Sequence, residues 1–228
     1  MDKVDFYKCD LSDKSKLLKT IEKIKTNIDS LYALINNAAL FSSKSLEKQT
    51  LEEWENIISI NLTAPYILSK ALATTLTQST GHIINISSTR ASMSEAGTEA
   101  YSSSKGGISS LTHALAITLS PDVKVNSISP GWINTNEEYL PTKVDNEQHP
   151  SGRVGTPDDI VDTVKFLLKN KGLDISEPMI FGIGSGLFFV FLPFLKVNHA
   201  PAISYRPMPV FIFNKAAKRL GITVKRIK

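Results

Sequence analysis

The sequence predicts an α/β protein, a doubly wound parallel sheet followed by a small C-terminal appendage. Three observations carry this. Apolar runs of five or six residues alternate with longer stretches whose apolar side chains recur three and four apart, the periods of strand and helix. Small or polar residues close each run, at Asp10, Asn36, Ser87 and Pro130. Composition then breaks: residues 1–177 hold 18 basic and 22 acidic side chains, whereas residues 178–228 hold 8 basic, no acidic and seven of the ten phenylalanines. Such a shift marks a different unit, so residues 1–168 are assigned to the α/β domain and residues 169–228 to the appendage.

The elements follow in order. Residues 4–9 read as a short strand, and Leu17, Leu18, Ile21, Ile24 and Ile28 then fall at helical spacing. Residues 31–35 form the next strand, ending in Asn36, Asn37, Ala38 and Ala39. Residues 51–76 read as one long amphipathic helix. Pro65 inside it has no N–H for the carbonyl of Asn61, which predicts a kink there and a free acceptor; a kink with a packing role alone is the other reading. Residues 82–86 are a buried strand closed by Ser87 and Ser88. Ile108, Leu111, Leu115 and Leu119 line the core side of a helix over 100–119. Residues 123–128 are another strand, closed by Pro130 and Gly131. Pro157 stands where a first-turn proline belongs, opening a helix to Leu168 with Ile160, Val164 and Leu167 inward.

Alternating strands and helices imply a parallel sheet covered on both faces, with right-handed crossovers. Ligands bind such sheets beyond the carboxyl ends of the strands. That rule places Asp10, Asn36 to Ala39, Ser87, Ser88, Pro130 and Gly131 on one rim.

Tyr101 and Lys105 are four apart, so on a helix the phenol and the ammonium share a face. A cation there favours phenolate and would draw the phenol from near ~10 toward neutrality, making it a proton carrier. A chance pairing is the alternative, and Ser88 and the strand ends weigh against it.

Other classes are disfavoured. At 228 residues the chain can bury one full core. One cysteine, Cys9, excludes an internal disulfide framework, and no charged-then-apolar leader opens the sequence, which points to a reducing, cytoplasmic setting. His82, His113, His149 and His199 lack metal-ligand spacing, so no metal is expected. Residues 178–195 carry no charge and reach the length of a membrane span, but Gly182, Gly184, Gly186 and Pro193 weaken them as a helix. The three glycines also lack the dinucleotide spacing. The basic end, 215–228, fits a solvated face better than a nucleic-acid site.

Taken together the motifs resemble the short-chain dehydrogenase/reductase family over about residues 3–168. They are Cys9-Asp10-Leu11, Asn36-Asn37-Ala38-Ala39, Asn61-Leu62, the Ile-Asn-Ile-Ser-Ser run ending at Ser88, Tyr101-x-x-x-Lys105, the Ser-Pro-Gly-Trp-Ile-Asn-Thr run from Ser129 to Thr135, and the Gly-Arg-Val-Gly-Thr-Pro run that opens at Gly152. The resemblance implies a Rossmann-like fold and hydride transfer between NAD or NADP and a small alcohol or ketone. It also implies roles: Tyr101 as general acid/base, Lys105 lowering its pKa and holding the ribose, Ser88 steadying the substrate oxygen, Asn61 holding a relay water. Asp10 with Leu11 would meet the adenine. Asn37 and Ala38 would line the cofactor, with Pro130, Gly131, Ile133 and Thr135 toward its carboxamide end. A homo-oligomer is compatible with it.

Set against that family, the chain reads as truncated. The glycine-rich turn and its flanking strands do not precede residue 3, and the last strand and its Asp-Gly-Gly turn are not found after Leu168. Residues 168–222 instead resemble part of the N-terminal domain of the butirosin-pathway acyltransferase family. Two competing functions follow: a non-catalytic composite unable to bind the dinucleotide, and a membrane-associated protein held by residues 178–195.

Overall fold

The computed structural model describes residues 5–169, 180–183 and 226–227. Strands β1 (Phe6–Tyr7), β2 (Ala33–Asn36), β3 (His82–Ile86) and β4 (Lys124–Pro130) alternate with helices. Helix α1 (Lys14–Lys25) follows β1; α2 (Leu51–Ile58) and α3 (Ala64–Thr77) follow β2; α4 (Glu99–Leu119) follows β3. After β4 come α5 (Lys143–Glu147), α6 (Pro157–Lys169), β5 (Ile180–Ile183) and β6 (Arg226–Ile227).

The main sheet has the order β2-β3-β4-β5 and is parallel throughout. Its register sets Asn36 beside Asn85 and Asn85 beside Ser127. Successive side chains on a strand point to opposite faces, and the two cores obey this. Leu34, Ile83 and Val125 pack with Leu17 and Ile21 of α1 and with Leu68, Leu72 and Leu76 of α3. Ile35, Ile84, Ile86 and Ile128 pack on the other side with Ile160, Val164, Leu167 and Leu168 of α6. The sheet is therefore doubly wound, as the alternation predicts. Each fully buried Leu or Ile contributes about 1.5–3 kcal/mol of transfer free energy, so these two clusters anchor the layers.

Three expectations are corrected. A strand does follow Leu168: β5 pairs with β4, Ser127 against Ile180 and Pro130 against Ile183. A ladder needs backbone groups and an extended conformation, and the sequence there runs into a charge-free stretch, 178–195, that does not set the strand's apolar residues apart. The first strand is shorter than residues 4–9, and it pairs with β6, Phe6 beside Arg226, in a separate two-stranded sheet. Cys9 lies beyond that strand but is buried in the α1–α3 core. The long helix over 51–76 is divided by a π-helical turn, Ser59–Thr63, where the N–H of Ala64 reaches back five residues to the carbonyl of Ser59. Pro65 cannot donate, and a widened turn absorbs the mismatch.

Caps fix the helices that frame the site. Asp13 accepts from the amides of Ser15 and Lys16 at the start of α1, and Thr50 with Glu53 forms a capping box on α2. Gly97, with φ of 78°, turns the chain into α4, and a side chain there would meet the Lys44 carbonyl at 2.8 Å.

No helix among the described residues is long and apolar enough to cross a membrane. Of the uncharged stretch 178–195, residues Ile180–Ile183 are strand and the rest lie outside the described residues. Gly184 and Gly186, His199 and all of the basic end but Arg226–Ile227 lie outside them too.

Candidate active site

The carboxyl ends of β2, β3 and β4 open on one edge, and the polar side chains gather there. On the face covered by α4 the strands change from apolar to polar along their length: Ile83 gives way to Asn85 and Ser87. Asn36 donates to Asn85 at 2.8 Å, and Asn85 donates to Thr112 of α4 at 2.9 Å. Ser87 donates to the carbonyl of Lys105 at 3.0 Å and meets Ser109 at 3.2 Å. These bonds seat α4 on the strand ends and set the height at which Tyr101 and Lys105 stand.

Ser88 follows at the end of β3 with an extended backbone and caps the short 3-10 turn Thr89–Ala91, its Oγ accepting from the amide of Arg90 at 3.1 Å. The same hydroxyl acts on the Tyr101 phenol, favouring its ionised form. Tyr101 lies in the first turns of α4, its ring edge-on to Phe41 with centroids 4.9 Å apart. Lys105 is 3% exposed. Its Nζ donates to the carbonyl of Ile86 at 2.7 Å and stands 5.6 Å from the centroid of the Tyr101 ring.

The electrostatics correct one expectation. Burial pushes the Tyr101 phenol above its ordinary value of 10.0; the Ser88 hydroxyl and the Arg90 charge pull it back less than burial raises it. Burial also brings Lys105 down to about 8. The pair shares a helix face as the spacing predicts, but burial of the ring outweighs the cationic pull, which comes from Arg90.

Asn61 sits in the π turn, 2% exposed. Its Oδ1 accepts from the Leu40 amide at 2.7 Å, and its Nδ2 donates to the Leu40 carbonyl at 2.9 Å and to Ser104 Oγ at 3.0 Å. The side chain is thus committed to the loop after β2 and to Ser104 of α4.

Of the cofactor candidates, Asn37 and Ala38 are half-buried directly after β2. Pro130 is buried at the end of β4, with Gly131 half-buried beside it. Ile133 is buried against α6 and bridges Gly155, while Thr135 is half-buried two residues on. Asp10 and Leu11 follow β1 and so do not share the sheet edge of the others. Leu11 packs on the α1–α3 core; the Asp10 carboxylate accepts from Ser12 N at 3.0 Å and Oγ at 2.7 Å, which holds its pKa low. Ser59 of the π turn donates to the Ser12 carbonyl at 3.4 Å, tying that loop to α2. Among the described residues no cluster of three or more His, Cys, Asp or Glu could hold a metal.

Sequence reasoning missed Arg90, Phe41 and Ser104. Arg90 pairs with Glu95 and donates to the Met93 carbonyl at 3.2 Å. A charge two residues past a strand-end serine, and a serine on the inward side of a helix, were the available signals.

A doubly wound parallel sheet with Ser, Tyr and Lys gathered at its carboxyl edge marks the class of Rossmann-type oxidoreductases. Residues 1–176 match the family described as enoyl-(acyl carrier protein) reductase, and residues 161–228 match the one described as butirosin biosynthesis protein H, N-terminal. An uncharacterized oxidoreductase of Thermotoga maritima is 46% identical over 174 residues, 72% of this chain and 68% of that protein. The 3-oxoacyl-(acyl-carrier-protein) reductase of Aquifex aeolicus is 32% identical, covering 78% and 73%. Among solved structures, an apo SCOR enzyme from Clostridium thermocellum has TM-score 0.70 and 40% identity, covering 83% of this chain and 78% of that one. A 4-hydroxyisoleucine dehydrogenase complexed with NADH gives 0.70 and 29% with coverage of 78% and 76%, and a metagenomic blue fluorescent protein in complex with NADPH gives 0.70 and 25% with coverage of 78% and 74%. The chain belongs to the short-chain dehydrogenase/reductase family.

Proposed function

We propose that this protein carries out hydride transfer between NAD or NADP and a small alcohol or ketone, with Tyr101 as the acid/base. The observation that supports it most is the Tyr101 ring with the buried Lys105 ammonium 5.6 Å from its centroid, beside the Ser88 that caps the turn after β3. The donor set suits the dinucleotide's ribose: an ammonium has three N–H groups, and Ile86 takes one. Asn36 Oδ1 is a buried acceptor with no hydrogen-bond partner, beside Asn37 and Ala38. The bound nicotinamide would supply or accept the hydride.

The protein's part is proton and oxygen chemistry. Ser88 donates to the carbonyl oxygen, and Tyr101 gives its proton to that oxygen as negative charge develops there. A phenol raised above 10.0 is protonated at neutral pH and therefore loaded for reduction. The Lys105 ammonium offsets the charge left on the phenol oxygen. Asn61 enters through its carbonyl, which Pro65 cannot satisfy, as a seat for relay water. Asp10, Leu11, Pro130, Gly131, Ile133 and Thr135 are proposed to hold the cofactor. Residues 1–168 are proposed as the reductase-like domain and 169–228 as an appendage of different origin.

The test is a titration of the full chain with NADH and NADPH, followed by turnover of a carbonyl panel by wild type and Tyr101→Phe. Binding, with turnover lost in the variant, is expected; no binding at millimolar nucleotide sinks the proposal. The similarity of residues 161–228 to a second family favours a second reading, a non-catalytic composite, and that same null result supports it.

A further inference from the structure

The geometry points to Ser104 as a positioning residue that couples the loop after β2 to the helix bearing Tyr101. Ser104 is fully buried, and both hydrogen-bonding directions of its hydroxyl are used. It donates to the carbonyl of Tyr101 at 2.7 Å and accepts from Asn61 Nδ2 at 3.0 Å. Asn61 in turn grips the amide and the carbonyl of Leu40. One hydroxyl thus joins three segments: the first turns of α4, the π turn, and the loop running from Asn37 and Ala38 to Phe41, whose ring rests on Tyr101.

The π turn makes the junction possible. Its extra residue per turn accompanies an Asn61 that reaches both α4 and Leu40 at once. On the same stretch Gly107 has no side chain where Leu62 Cδ2 would stand 2.7 Å from a Cβ, so α4 and the π turn lie in close contact. With Ser104 removed, Asn61 loses its tie to α4, and its grip on Leu40 opens more often. The cofactor loop and the proton donor can then shift independently.

This rests on the reading of Tyr101 as acid/base, and the test separates the two. In Ser104→Ala we expect kcat to fall at least tenfold, nucleotide Kd to rise severalfold, and exchange of the Leu40 amide to accelerate at least tenfold. Ser104→Thr restores all three, because a helical Thr hydroxyl also bonds a carbonyl one turn back. Should Ser104→Ala fail to fold, Ser104→Cys is the second variant. Wild-type kcat and Kd in the Ala variant, even with faster Leu40 exchange, overturn the inference. If Tyr101→Phe keeps full turnover, the functional reading fails, and Leu40 exchange with nucleotide Kd still decides for or against Ser104.

Discussion

The Lys105 ammonium is hydrogen-bonded to the Ile86 carbonyl, 2.7 Å away. A lysine in this position is held by the strand end as much as by its own helix, and its charge is expensive to keep there. Burial alone brings it down to about 8.

A pH dependence of stability follows. Lys105 titrates at about 8 in the folded protein against 10.5 when unperturbed, so between those values the unfolded chain binds the proton more tightly. Stability therefore rises with pH across that window. Urea midpoints of wild type and Lys105→Met measured at several pH values should diverge there, the variant lacking the rise.

Activity should show the same group. For carbonyl reduction, kcat/KM is expected to fall on the alkaline side with an apparent pKa near about 8, as the ammonium that offsets charge on Tyr101 is lost. Tyr101, raised above 10.0, contributes no limb below that value. A pH–rate profile checks both statements.

Ser88→Ala removes a hydroxyl that favours the ionised phenol and the cap of the 3-10 turn. Loss of one preorganised donor to a developing oxyanion costs about 10²-fold in kcat, and the same is expected here with little change in KM. Steady-state kinetics on any accepted carbonyl compound would show it.

Gly97→Ala tests the hinge into α4. Its φ of 78° and the Lys44 carbonyl at 2.8 Å leave no room for a Cβ. A destabilisation of about 2 kcal/mol or more is expected from the left-handed backbone together with the contact, readable as a lower urea midpoint.

Arg153 makes a two-pronged ion pair with Asp159 at 2.8 and 2.6 Å, beside the Ile133–Gly155 bridge. The Asp159 carboxyl is lowered from 3.8 to about 2, chiefly by Arg153. Its stabilisation is complete above 3.8 and is lost as pH falls through about 2. Arg153 is 56% exposed, so Asp159→Asn should cost at most about 1 kcal/mol, with a flatter acid-unfolding curve between those pH values.

Much of this was legible in the chain. The apolar runs 31–35, 82–86 and 123–128, alternating with helices, gave a sheet covered on both faces, and the structure sets Leu34, Ile83 and Val125 on one and Ile35, Ile84 and Ile128 on the other. Tyr101, Lys105 and Ser88 were legible from spacing and from a strand end. The pKa of Tyr101 was not, since desolvation depends on what encloses the ring, Phe41 included, and no local motif encodes that. The π turn escaped as well: Pro65 announced a disturbance at Asn61, but whether a helix kinks or widens depends on what packs against it, here Gly107. Strand β5 escaped for a different reason, its apolar residues being merged into the charge-free stretch 178–195.

That strand has a wider consequence. Ile180–Ile183 falls within the stretch matched by the second family and outside residues 1–176, yet its amides and carbonyls complete the ladder of β4. An edge position asks a newcomer for extended backbone and little else, so it is the place in a parallel sheet where one lineage can be exchanged for another. Here a row of hydrogen bonds, inside a single sheet, joins a strand matched by one family to a strand matched by another.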